Sequence, residues 1–373
     1  MATARADLQA LLTDDHSIRV GLREVNIWPD TIRAWLEQGY PVQEVVSETG
    51  QVTTEPFDWR DCFGYDMVIV GGLFNLLPWP DCREVLEETE DWIITRDGAG
   101  AVLKQWKHRS GTPEHIDFHM TSRDVWEREY RAPLLEVDRN RVDIEGAKRE
   151  LERRRSQGLW TFYQHQSIWE TMRQTMGDIC MYTSLALDPD WIHDFNRVYT
   201  DFFKAHFKLL FDEAGLPDSI RLCEDIGYKN GLFCSPKMLE ELIFPYYQEL
   251  VDFFHGYGLP VEFHTDGNIT RALPLITDVG FDILNPMEIK AGCDPLKYAE
   301  TYGDRLAFIG GLDARVLELG ERDVIRQEVS RLIEGMKARG ARYVFGSDHS
   351  ISPLVKYEDY LYTLQVYREH MWY

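Results

Sequence analysis

The chain has 373 residues with a hydrophobic content of 44%, enough for one large globular domain, since α/β barrels commonly run past about 250 residues on a single core. Its 63 acidic against 40 basic residues give a formal charge of −23, which repels polyanions and speaks against nucleic acid and anionic membranes as partners. Six cysteines lie far apart with no CxxC pair, MATARADLQALLTDD lacks the apolar core of a signal peptide, and no apolar run approaches about 18 residues. A reducing cytoplasm is the expected location.

In chain order, residues 1–150 are irregular. WPDTIRAWLEQG reads as a helix, DMVIVGGLF as a strand, and DWIITRDGAGAVLKQWKH as a hairpin turning at Asp97-Gly98 and Gly100. These are expected to extend around a barrel mouth. EVDRNRVDIEGAKRELERRRSQG has the mixed charge of a solvated helix. In LWTFYQHQSIWETM, Trp160, Phe162, Tyr163 and Trp169 cluster. Core packing accounts for such a cluster, and so does a roof that stacks on an aromatic substrate, with His165 and Gln166 as polar handles.

Residues 151–373 are more regular. SIRLCEDIG reads as a strand, followed by SPKMLEELIFPYYQELVDFFHGYG as one helix with Ser235 as N-cap and Pro236 in its first turn. The alternation repeats through PVEFHTDGN, FDILNPMEI, RLAFIGGLD and RYVFGSDHSI, each followed by an amphipathic helical stretch. Short apolar strands alternating with helices indicate parallel βαβ units, and five in succession predict a (β/α)8 barrel with an N-terminal extension, all in one domain spanning 1–373.

In such a barrel the functional face lies at the C-terminal ends of the strands. Those ends carry Glu224 and Asp225, His264 and Asp266, Asn285 and Glu288, Asp313, and Asp348 with His349. His264 and Asp266 are two residues apart on a strand, so their side chains share a face and can converge on one object. Each residue also has a plainer reading. His264 can be a hydrogen-bonded core histidine, Asp266 a turn former or N-cap near Thr270, and Asp313 a cap of the next turn.

The stretches EDIGYKNGLFCSPKMLEELIFPYYQELVDFFHGYGLPVEFHTDGNI, AFIGGLDARVLELG and YVFGSDHSI resemble the uroporphyrinogen decarboxylase superfamily, most closely its cobalamin-dependent methyltransferase and O-demethylase branch. Looser patterns in WLEQGYP, FGYDMV and SGTPEHIDF extend the resemblance towards the N-terminus. Methyltransferases of that kind hold zinc through a His-x-Cys pair and a later cysteine. His264 matches the histidine, Asp266 stands at the first thiolate, and His349 falls at or beside the second. The decarboxylases use instead an arginine-rich N-terminal segment to grip substrate carboxylates, and here LREVNIWPDTIR offers only Arg23 and Arg33.

The resemblance thus implies zinc or another divalent ion on His264, Asp266 and His349, with Glu224 as a further candidate ligand. Without thiolates such an ion is harder and better suited to an ether oxygen than to a thiol. It also implies a small methoxylated methyl donor, aromatic or not, and a corrinoid supplied by a partner carrier protein. Glu224 or Asp225 would act as the proton donor. Trp160, Tyr163, Trp169, Asn285, Glu288 and Asp313 would line the substrate site. A homodimer is compatible with this picture. A metal-free decarboxylase of a small carboxylic acid and a non-catalytic partner of a methyl carrier are the alternatives.

Overall fold

The computed structural model describes residues 3–13, 18–46, 52–109 and 111–373. Ser110 of SGTPEHIDF and residues 1–2 and 14–15 of the N-terminal stretch lie outside them. Eight strands build the central sheet: β1 (Gly21–Leu22), β2 (Met67–Ile69), β3 (Trp160–Gln166), β4 (Ser219–Cys223), β5 (Val261–Thr265), β6 (Ile283–Pro286), β7 (Ala307–Ile309) and β8 (Tyr343–Phe345). Their order is β1-β8-β7-β6-β5-β4-β3-β2, so from β2 to β8 each strand neighbours the next in the chain, and β1 pairs with β8 in parallel. The ring is completed where Asp66, just before β2, donates its N–H to the Leu22 carbonyl at 2.8 Å. This is a (β/α)8 barrel.

The chain forms two compact units: residues 1–68, 158–160 and 283–373, and residues 69–157 and 161–282. In the first, an aromatic cluster forms the core. Tyr360, on helix Tyr357–His370, meets Trp35 and Phe63 at 5.3 and 5.1 Å between ring centroids. In the second, helix Pro189–Ala214 presents Phe195, Tyr199, Phe203, Phe207 and Phe211, all buried, along one face. Side chains of this kind contribute roughly 1.5–3 kcal/mol each when fully buried. A four-stranded antiparallel sheet follows β2, and its last strand is Glu114–Asp117.

The five strands read from the regular half of the sequence are β4 to β8, and DMVIVGGLF supplies β2. The hairpin forms as expected, with Trp92–Arg96 paired to Val102–Trp106. Two readings change. LWTFYQHQS supplies barrel strand β3 rather than a roof. The helix expected from Pro236 onward is two, Pro236–Leu242 and Phe244–His255, because Pro245 has no N–H to continue the first. Ser235 caps the first by accepting from Met238 N at 3.1 Å, as its position before Pro236 implied. The charged segment forms helix Ile144–Ser156, solvated except along Ile144, Ala147, Leu151 and Arg154, which are buried.

Candidate functional site

The site grows from the pairing of β4 with β5. Their register sets Arg221 beside Glu262 and Cys223 beside His264, so all four side chains share one face of the sheet. A charged residue within each apolar strand is costly to bury alone, and here the two meet: Arg221 Nε lies 3.2 Å from Glu262 Oε1. The same guanidinium donates to Gln164 Oε1 at 2.9 Å and to His264 Nδ1 at 2.7 Å.

Beyond the strands, the two loops are tied together. Asp266 N donates to Asp225 Oδ1 at 2.9 Å, Ile226 N to Thr265 Oγ1 at 3.3 Å, and Asn268 N to the Tyr228 carbonyl at 2.9 Å. Gly267 adopts a left-handed φ of 87°, and any side chain there would overlap the backbone of Gly227. Only glycine permits so close an approach. Asn268 makes the turn, accepting from Thr270 N at 3.2 Å, and the helix starts later, at Leu273. Asp266 is therefore released from the capping role open to it in the sequence.

The outcome is a convergent set. Asp225, His264 and Asp266, all half-buried, offer ligand atoms that lie within 4.8 Å of one another. Two carboxylates and an imidazole are ligands that zinc or another divalent ion accepts at about 2.0–2.2 Å. The residues fit such an ion, with one constraint on which imidazole nitrogen would take it. A guanidinium has hydrogens to give and no lone pair, so His264 Nδ1 faces Arg221 unprotonated. An ion on that nitrogen must turn Arg221 aside.

Glu224, beside Asp225 in sequence, has other work. It is fully buried and accepts from Ser167 N, from Trp169 N at 2.7 Å, and from the Tyr247 hydroxyl. The first two bonds satisfy amides at the start of helix Ile168–Leu187. Burial pushes its carboxyl up to about 8, against the pull of Tyr247 and the two amides. Trp169 is buried too, and its indole N–H donates to the Asp225 carbonyl at 2.8 Å.

Next to Asp225 opens a cavity of about 930 Å³ whose lining includes Asp117, Phe118, Glu170, Arg173, Gly177 and Asp178. Neither Glu224 nor the expected aromatics line it. Trp160, Tyr163 and Trp169 are core residues, and the Tyr163 hydroxyl is spent on the Gly215 carbonyl at 3.0 Å. His165 is likewise buried, and loss of water holds its imidazole down at about 4.

The remaining expected residues lie in the first unit. Asn285 is buried and donates to the Ile309 carbonyl at 3.1 Å. Glu288 pairs with Lys290 at 3.2 Å. Asp313 caps helix Ala314–Leu319, the plainer of its two readings, and holds Arg315 at 2.6 Å. Asp348 accepts from Ile289 N and Ala314 N at 2.8 and 2.9 Å, and His349, on the same loop, receives the Ser347 hydroxyl at its carbonyl. Sequence reasoning missed Arg221, Glu170 and Glu24. The signal for Arg221 was present, a lone charge at period two from Cys223 in an otherwise apolar strand.

The family model described as uroporphyrinogen decarboxylase (URO-D) matches residues 169–370. No curated protein matches the sequence. Among solved structures, a methyltransferase from Methanosarcina mazei shares the fold over 99% of both chains, with a TM-score of 0.64 at 15% identity.

Proposed function

The chain belongs to the uroporphyrinogen decarboxylase family, and within it we propose a metal-dependent methyltransferase that moves a methyl group from a small methoxylated donor to a corrinoid on a carrier protein. The observation that carries this reading is the convergence of Asp225, His264 and Asp266 within 4.8 Å. Likeness of fold to a methyltransferase over the whole chain supports it.

Asp225, His264 and Asp266 would hold the ion, and the hydrogen bond from Asp266 N to Asp225 keeps the two carboxylates together. A divalent ion, when bound, supplies Lewis-acid stabilisation of the charge that develops as the methyl departs. Glu170 lines the cavity beside Asp225. Burial, reinforced by Asp225, raises its carboxyl above the ordinary value while Arg173 opposes the rise. The proton that the leaving oxygen needs would come from solvent, and Glu224 and Asp225, to which the sequence offered that role, remain subjects for substitution. Glu224 acts at one remove, by anchoring the helix that carries Glu170 and Arg173. Asn285, Glu288, Asp313 and His349 keep their proposed places in substrate or metal binding as subjects for substitution.

The test supplies reduced corrinoid, free or on a carrier protein, with a panel of methoxylated donors, and follows methylation of the cobalt by its absorbance. Methylation that disappears in Asp225→Asn is the expected result. No methylation from any donor overturns the reading. One observation favours a second reading: Arg221, a donor held against His264, suits a substrate carboxylate as well as it resists a cation. A metal-free decarboxylase would release carbon dioxide from a small acid without corrinoid, and would lose activity in Arg221→Lys.

A further inference from the structure

We propose that the cavity beside Asp225 selects a small organic cation, so that the methyl donor carries an ammonium group. This deepens the methyltransferase reading and rests on it only for the fate of the methyl. The volume of about 930 Å³ is in the range of small-molecule sites, about 300–1,000 Å³. Besides Asp225 of the proposed metal set, its lining sets three carboxylates, Asp117, Glu170 and Asp178, against the guanidinium of Arg173 and the imidazole of His115. Arg173 is already engaged: it reaches Glu170 at 2.7 Å and Asp178 at 3.3 Å, and stacks 4.8 Å over the Phe233 ring. It has little left to offer an anion. The chain's charge of −23 reinforces that sign at longer range.

The cavity also has an aromatic wall. Phe118 follows strand Glu114–Asp117 and lines the cavity together with Gly177. Gly177 breaks helix Ile168–Leu187 with φ 69° and ψ 165°, and a side chain at that position would collide with the Phe118 ring. Glycine at the break is what lets the ring seat. A carboxylate-rich pocket with an aromatic face binds an alkylated ammonium through charge, through the ring's quadrupole and through burial of its carbons. A neutral ether would gain only the last of these, and a carboxylic acid would be repelled.

The experiment is calorimetric titration of the wild-type protein with choline, with its neutral isostere 3,3-dimethylbutan-1-ol, and with the anion 3,3-dimethylbutanoate. Choline should bind about tenfold or more tightly than the alcohol, and salt should weaken it. Glu170→Gln should weaken choline about tenfold and leave the alcohol unchanged. Asp178→Asn, far more exposed, serves as a second variant should Glu170→Gln melt early. Equal binding of alcohol and choline, preference for the anion, or choline affinity unmoved by both variants overturns the proposal, as does no choline binding at millimolar concentration. Neither metal, corrinoid nor turnover enters the measurement. A failure here leaves methyl transfer standing, and a failure of methyl transfer leaves the cation site standing.

Discussion

The loops after β4 and β5 and the loop after β8 carry the same kinds of residue and put them to opposite uses. In the first unit, Asp348 spends both carboxylate oxygens on the backbone of neighbouring loops, and burial raises it to about 6. Glu24 does the same with Val25 N, with Ser347 and with the Tyr360 hydroxyl, and burial raises it to about 7. In the second unit, Asp225 and Asp266 remain half-buried and turn towards His264. A carboxylate whose oxygens are filled by internal donors is scaffold. One half-buried within reach of an imidazole and a second carboxylate is a candidate ligand. Residue type at a strand end does not distinguish them, but the donors around it do.

The largest expected effect tests whether the site's own floor is scaffold. Arg221→Met leaves Glu262, fully buried, without its counter-charge, and should cost about 3–5 kcal/mol in urea unfolding. A cost below about 1 kcal/mol would mean that the pair is relieved elsewhere.

Next comes the pH dependence of the scaffold carboxylate. Glu24 holds its proton up to about pH 7 in the folded chain, against an ordinary value of 4.5. The folded state therefore binds this proton more tightly. Its contribution is fully present below about pH 4.5 and is lost as the pH rises through 7, a change of roughly 3 kcal/mol. Glu24→Gln, uncharged throughout, should flatten that part of the stability profile. An unchanged slope would remove Glu24 from the account.

Legibility followed the range of the interactions. His264 and Asp266 could be read because a period of two is local, and β4 to β8 because each strand carries its own apolar run. CEDIG offers Asp225 only as an acid, since nothing in it reveals that Glu224 turns to the helix layer while Asp225 meets β5. Glu24 escaped because β1 is two residues long and its partner Ser347 is 323 residues away. Glu170 escaped because its neighbourhood is made by a helix packing beside the β4 loop, a contact with no local signature. Trp160, Tyr163 and Trp169 were legible as aromatic and apolar, which fitted core and pocket alike.

The central claim is that Asp225, His264 and Asp266 form a metal centre, and equilibrium dialysis of the purified protein against zinc, read by elemental analysis, tests it most directly. About one equivalent should be retained by the wild type, while His264→Ala and Asp225→Asn should retain none at an unfolding midpoint within about 1 kcal/mol of wild type, because half-buried barrel-end side chains contribute little to the core. Retention of no ion by folded wild-type protein, or equal retention by both variants, would contradict it.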